Sequence, residues 1–371
     1  TIFMFNDFIN KYSIEQKINM ANISLLERSV FKPTHLHESG VNEEIYSEKE
    51  LCFACDREHN NRIKKIINIL CNGLTETELD SVKLINNKIS EHNKSWHYKL
   101  FPKNTLLMHI YQSRLIDHLL PNSQNILEIG SGSGYLALLL ALKDKSVYST
   151  DVFQPHYMFQ NFLYSIFDVC NELVNKKDFI KKKGSINHIP WWKFNKLNGD
   201  EFKCDLLVMN HAICELNILS LRHVLSLTEK LGNPKIFLES TGYPRTKWSD
   251  VKMLLKEYNY ELIFSGNNEK ITSGVYIFKK SLIKKNKPKH VIFKKILRLI
   301  PFKFLFIIFF NEIQKIFLEL IFYKRWKKLF IKKIFTTKNK YSYSEVEELF
   351  KINGWNLGNP EDDFLNKIKK I

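Results

Sequence analysis

Two groups of residues in this 371-residue chain have types and spacing suited to chemistry. His211 and Glu215 stand four apart, directly after the apolar run from Asp205 to Asn210. On a helix that spacing puts both on one face, where a carboxylate orients an imidazole and raises its basicity, as a general base requires. The other reading of His211 is a side chain that caps a turn or satisfies a backbone carbonyl. Glu128 and Asp151 bracket a second group, the glycine run Gly130-Ser131-Gly132-Ser133-Gly134. A loop of this kind places backbone N–H groups and a helix N-terminus over one crevice, and a carboxylate at the tip of the next strand can hold both ribose hydroxyls of a nucleoside.

The spacing narrows which nucleoside. A dinucleotide fingerprint is G-x-G-x-x-G, whereas here the run is G-x-G-x-G followed by the bulky Tyr135, which disfavours NAD. No G-x-x-x-x-G-K-[ST] occurs, so a nucleoside triphosphate cradle has no support either. Glu128, two residues before the first glycine, suits a cation and not a pyrophosphate. S-adenosylmethionine (SAM) carries a cationic ammonium and sulfonium. The pattern Leu127-Glu128-Ile129-Gly130-x-Gly132-x-Gly134 with Asp151 downstream resembles motifs I and II of class I SAM-dependent methyltransferases. That resemblance makes Glu128, Gly130, Ser131, Gly132, Gly134 and Asp151 the expected cofactor residues.

These residues need a frame. Ile126, Leu127 and Ile129 form a short strand, Tyr135 to Leu142 an aliphatic helix, and a second strand ends at Asp151. Upstream, a helix over 104–120 would carry Tyr111 and Arg114 toward the crevice, where an arginine can meet the carboxylate of SAM; the alternative is a core helix with a solvated Arg114. Thr75-x-x-Glu78 reads as a capping box opening a helix to Ile89, and 62–70 repeats apolar residues at helical spacing. Downstream we expect a long aromatic helix over 154–174, strands near 185–189, 205–210 and 235–239, a helix over 248–258, and strands at 260–265 and 274–278. Ligands in open α/β sheets lie beyond the carboxyl ends of strands, so Asn210 joins the expected cofactor residues, with His211 and Glu215 as the catalytic pair. His97, His109 and His188 are the reserve bases. Trp191 or Trp192 either stacks on a ligand ring or packs in the core.

The expected architecture is α/β: a seven-stranded, mainly parallel, Rossmann-like sheet with one antiparallel strand. It is flanked by an N-terminal helical cap (1–100) and a C-terminal helical extension (284–371), leaving 101–283 as the central domain. Within the class I superfamily the chain resembles bacterial sugar O-methyltransferases found with surface-polysaccharide genes. The residues that carry this are Ile129-Gly130-x-Gly132-x-Gly134-Tyr135, Asp151-Val152 with Gln160-Asn161-Phe162-Leu163, and Asn210-His211-x-x-x-Glu215-Leu216. It implies methyl transfer from SAM to a hydroxyl of a sugar or polysaccharide precursor, hence a small-molecule or glycan acceptor. A nucleic-acid or lipid acceptor is the second enzyme reading. The N-P-P-[YF] of base-methylating enzymes is absent, Asn210 being followed by His211, so nucleic acid is disfavoured. A non-catalytic module of a polysaccharide-synthesis complex is the third reading.

The formal charge of +17 is concentrated. Lys279 to Lys340 holds 19 lysines and arginines against Glu312 and Glu319, and the rest of the chain is neutral. Within 284–335, Ile313, Ile316, Phe317, Leu320 and Ile321 fall at helical spacing next to a crowd of lysines. This segment either lies on an anionic membrane or packs on the central domain. Its longest apolar run, 304–310, is too short to span a bilayer. Six scattered cysteines fit a reducing compartment, and residues 1–10 lack the basic n-region of a signal peptide, so the expected location is cytoplasmic, with peripheral contact at the inner face of the membrane. Cys52-x-x-Cys55 with His59, and His35-x-His37, invite a zinc reading, but no second C-x-x-C follows; no metal is expected.

Overall fold

A computed structural model describes residues 5–21, 44–45, 51, 74–93, 103–176, 178–242, 246–267 and 274–281. The helix expected over 62–70, His97, the Cys52 and Cys55 pair with its neighbouring histidines, and the basic segment 284–335 lie outside them.

Three strand-forming runs are apolar without alternation, as strands buried on both faces must be. They become β1 (Asn125–Ile129), β5 (Leu206–Val208) and β6 (Lys235–Glu239) at the centre of the sheet. Around them lie β2 (Ser146–Asp151), β3 (Cys170–Glu172), β4 (Ile186–Pro190), β7 (Tyr260–Asn267) and β8 (Gly274–Lys280). The order across the sheet is β3-β4-β2-β1-β5-β6-β8-β7. β8 is antiparallel to both β6 and β7, and the other pairings are parallel, so one strand runs against the rest, as expected.

The strand count differs from the expected seven because 154–174 is not one helix. Helix α5 (Gln154–Ile166, numbered in chain order below) stops, Asp168 turns the chain at φ 54, and three residues add β3 at the edge. Asn171 on β3 donates to Asn187 Oδ1 on β4 at 2.8 Å. That buried polar ladder gives the short edge strand its register.

The helices in chain order are α1 (Phe5–Ala21), α2 (Glu76–Asn93), α3 (Lys103–Leu119), α4 (Tyr135–Leu142), α5, α6 (Trp191–Lys196), α7 (Ile218–Thr228) and α8 (Trp248–Glu257). The capping box at α2 forms in both directions: Thr75 N–H donates to Glu78 Oε2 (2.8 Å) and Glu78 N–H to Thr75 Oγ1 (3.3 Å). Tyr12 of α1 packs between Tyr157 of α5 (ring centroids 5.0 Å) and Trp192 of α6 (4.8 Å). Trp192 is therefore a core residue. Among the described residues no helix is long and apolar enough to cross a membrane.

The chain leaves β1 for β2 on one side and later returns to place β5 on the other side of β1. The carboxyl ends of β1 and β5 therefore flank a topological switch point, where an open α/β sheet leaves a crevice. The glycine loop follows β1, and 209–217 follows β5.

Candidate functional site

The wall on the β1–β2 side is made of backbone. Gly130, Gly132 and Gly134 all have positive φ, at 72°, 55° and 75°, a region L-residues avoid. Gly130 and Gly134 are also sterically required. A Cβ on Gly130 would come within 2.8 Å of Ala212 Cβ, and one on Gly134 within 2.6 Å of Tyr164 Oη. Gly132 is different: nothing lies within 4 Å of where its Cβ would be, so the loop leaves open space there.

Asp151, at the end of β2, fixes this loop. Its Oδ2 accepts Gly132 N–H (2.9 Å) and its Oδ1 accepts Phe153 N–H (2.9 Å). Oδ2 is also met by Gln160 Nε2 at 3.4 Å, with His156 Nδ1 at 3.6 Å, so Oδ1 is the oxygen that keeps a second lone pair for a ligand hydroxyl. Gln160 of α5 donates to Gly132 O (2.7 Å) and is itself met at Oε1 by His188 Nε2 (3.0 Å). The Ser131 and Ser149 hydroxyls share a hydrogen bond (2.8 Å), so the Ser131 side chain braces the loop. His188, a reserve base, is fully buried and stacked on Tyr157 at 3.7 Å, and burial holds its pKa well below the ordinary histidine value. It supports the loop and is not poised to take protons from a substrate.

Glu128 lies under the loop, 3% exposed, and its Oε2 has no hydrogen-bond partner among the described residues. Burial, with Asp151 adding to it, pushes its pKa up to about 8 against an opposing hydrogen bond from Ser131. A buried carboxyl oxygen left unpaired costs free energy, on the order of 1–3 kcal/mol, that a cationic ligand would recover.

The wall on the β5–β6 side is made of side chains. The chain leaves β5 through consecutive turns instead of entering a helix, since His211 adopts φ 58. Histidine, like asparagine and aspartate, enters the left-handed region more readily than most side chains. The turn is held by His211 N–H to Ser240 O (3.3 Å) and Glu215 N–H to Ala212 O (2.9 Å). Gly242, at φ 78, packs against it; a Cβ there would fall 1.8 Å from His211 O and 2.9 Å from Glu215 Oε1.

The expected helical face shared by His211 and Glu215 is thus corrected. With no helix through 211–215, the i, i+4 argument lapses; a carboxylate near the imidazole is Glu239, whose Oε2 is 3.2 Å from His211 Nε2, an ion-pair distance without hydrogen-bond geometry. Glu239 ends β6 and is buried, while His211 is about a quarter exposed at 25% of its side chain. The same Oε2 accepts Gln112 Nε2 of α3 at 2.9 Å. Asn210 also turns to β6: its Oδ1 accepts Glu239 N–H (2.7 Å), and its Nδ2 is a buried donor with no hydrogen-bond partner among the described residues.

Helix α3 divides its residues between two jobs. His109 packs edge-on to Tyr135 beside the glycine loop (6.1 Å), with its Nδ1 on Thr105 O of its own helix (2.7 Å), and Gln112 reaches Glu239. Tyr111 is buried in the core. Arg114 does not enter the crevice: it is buried on the other side, bonded through Nε and Nη2 to both carboxylate oxygens of Glu78. There it lines a cavity of about 370 Å³ with Ser113, Asp117, Leu139 and Leu142, the last two from the C-terminal half of α4, away from the loop. An unpaired Glu78 would have been costly in that buried place, and the bidentate pairing wins over an exposed or cofactor-facing arginine.

No family model matches the chain, and no curated protein does. Among solved structures it is similar to a TehB-like SAM-dependent methyltransferase from Corynebacterium glutamicum (16% identity, 46% of this chain and 87% of that one, TM-score 0.34). It is similar also to the magnesium protoporphyrin IX methyltransferase of Synechocystis with bound SAM (12% identity, 65% and 100%, TM-score 0.32) and to the glycopeptide N-methyltransferase MtfA (11% identity, 46% and 95%, TM-score 0.35). Similarity this slight carries no inference about activity; the crevice, its carboxylates and its left-handed histidine are properties of this chain.

Proposed function

We propose that this chain is a SAM-dependent methyltransferase acting on a hydroxyl of a sugar or polysaccharide precursor. The observation that carries the cofactor is Glu128, whose buried oxygen lacks a partner under a loop that opens at Gly132. In this reading Glu128 holds the ammonium, Asp151 the ribose hydroxyls, and the loop backbone lies along the cofactor. When bound, SAM supplies a methyl group already activated as a sulfonium, whose C–S electron pair leaves as a neutral thioether.

What the chain must add is placement of a hydroxyl oxygen and removal of its proton. His211 serves as the base: it stands at the carboxyl end of β5, is partly exposed, and has a carboxylate behind it. It takes the proton as the acceptor oxygen forms its new C–O bond, and the buried carboxylate stabilises the imidazolium. An imidazole base suits a hydroxyl acceptor, and the resemblance of the 129–163 and 210–216 motifs to sugar O-methyltransferases points to a sugar.

Isothermal titration with S-adenosylhomocysteine (SAH) and SAM tests the cofactor. Saturable binding with a Kd in the micromolar range is expected, and absence of heat at millimolar ligand would remove the cofactor and the activity with it. His211→Ala is expected to retain SAH binding and to lose turnover of the acceptor.

A further inference from the structure

Glu128 occupies a place in the sheet where an acid is costly. Its register partners on either side, Ser149 of β2 and Val208 of β5, are fully buried, and Glu128 itself is 3% exposed. Paired residues share a face of the sheet, so Glu128 lies on the same side as Ser149 and, one step along β2, Asp151. Among the described residues no lysine, arginine or histidine pairs with it, and its Oε2 has no hydrogen-bond partner. Burial acts most strongly against its ionisation and Asp151 adds to that, while the Ser131 hydroxyl and the Ala137 N–H of α4 act in favour. Tyr164 of α5 stands nearby with its phenol on Ser149 Oγ (3.2 Å), kept neutral by burial. An ionised Glu128 would thus be a buried charge with one bare oxygen and a second carboxylate as neighbour. The neutral acid is the form these surroundings tolerate. An ammonium group brought under the loop reverses the balance, because only the ionised carboxylate can pair with it.

We propose that Glu128 is protonated in the empty site and gives up its proton as the ammonium of SAM or SAH enters, so that binding is coupled to release of one proton. This rests on the SAM reading of the crevice. The Glu128 carboxyl gives one proton to solvent, the ligand enters with its ammonium intact, and an ion pair forms between them. Two properties follow. An adenosine ligand without an ammonium, such as 5′-methylthioadenosine, has nothing to draw the proton off, so the site tells the two kinds of ligand apart by charge. Affinity for the ammonium ligands weakens as pH falls through about 8, where Glu128 of the empty site takes up its proton. A second titratable group lies close by: His156 Nδ1 is 3.6 Å from Asp151 Oδ2, and its protons must be separated from those of Glu128.

Isothermal titration of the full chain with SAH in phosphate and in imidazole buffer counts the protons, since the two buffers differ in ionisation heat. The titration is run at about pH 6.5, where the ligand keeps its ammonium because an α-amino group titrates at about 8. Wild-type chain is expected to release about one proton per SAH bound, and its Kd to weaken about tenfold for each pH unit below 7. Binding of 5′-methylthioadenosine should release none. Glu128→Gln, neutral at every pH, should bind SAH without that release, while any share from His156 persists. SAH heats that agree between the two buffers overturn the proposal and leave the cofactor reading standing; no heat from SAH at millimolar concentration removes the cofactor reading itself. Release that survives in Glu128→Gln also overturns the proposal, by assigning the proton elsewhere. If that variant does not fold or does not bind, the wild-type chain decides: equal release with SAH and with 5′-methylthioadenosine would place the proton at the ribose end and overturn the proposal.

Discussion

The two walls of the crevice are built from different material. On the β1–β2 side the work is done by main chain: three glycines at positive φ, an N–H on Asp151, a carbonyl on Gln160. On the β5–β6 side it is done by side chains from three distant segments, Gln112, His211 and Glu239. The difference has a physical origin. A shape made by backbone can be held only by residues without a Cβ, and so it prints a fixed glycine spacing on the sequence. A cluster of polar side chains needs only that its members converge from distant segments, and it prints no fixed spacing on the sequence.

The difference can be tested by breaking each wall in turn. Gly242→Ala should have the largest effect, since its Cβ meets His211 O at 1.8 Å and main chain must move. We expect a loss of about 3–4 kcal/mol of stability by denaturant titration. The folded fraction should bind SAH as before, because the glycine loop is untouched. Weakened SAH binding in that fraction would show that the two walls are mechanically one.

Next comes the pH dependence of the wall beneath the loop. Glu128 has a pKa of about 8 in the folded chain against 4.5 for an ordinary glutamate. Folding therefore takes up a proton between those values, so its contribution is full below pH 4.5 and is lost as pH rises through 8. The size of that loss is on the order of 3 kcal/mol, smaller than the full shift implies if water enters the opened site. Glu128→Gln should flatten the fall of Tm across this window, and an unchanged slope would mean that Glu128 is already ionised in the fold.

Gly132→Ala should show the smallest effect on the fold. Its Cβ meets nothing, and only the positive φ resists it, at a cost of about 1–2 kcal/mol. Because the methyl would stand in the open space of the loop, SAH binding should fall more than stability does. Equal loss of both would mean that the space is not where the ligand lies.

The same contrast explains what could be read from the chain alone. The strand, glycine loop, helix and second strand from Asn125 to Asp151 fall where the sequence places them, because each is dictated by local spacing. The capping box at Thr75 and Glu78 is local too, and forms. What was misplaced depends on partners far along the chain. Arg114 faces Glu78, 36 residues away, and not the crevice. Glu239 lies beside His211, and a left-handed residue interrupts the helix that the i, i+4 spacing assumed for His211 and Glu215. One signal was available for Glu239. It is an acid at the carboxyl end of an apolar central strand next to the switch point, the place where ligands meet open sheets. Gln112 had no such signal, since one polar residue on a buried helix reads the same whether or not it bonds to a distant acid.

The insertion of β8 between β6 and β7 sets an order of events during synthesis. Glu239 sits on a strand whose outer edge is filled only by β8, and Ser240 N–H is satisfied by Gly274 O at 2.8 Å. A ribosome adding about 5–20 residues per second emits the nucleoside-binding wall first and needs a further interval of about 2–7 s between Ser240 and Gly274. Throughout that interval the nascent chain carries an unpaired, apolar edge at Ile236, Phe237 and Leu238, the kind of edge that recruits other strands. Chains truncated before Gly274 should therefore be insoluble, and Glu239 is protected late among the described elements of the sheet.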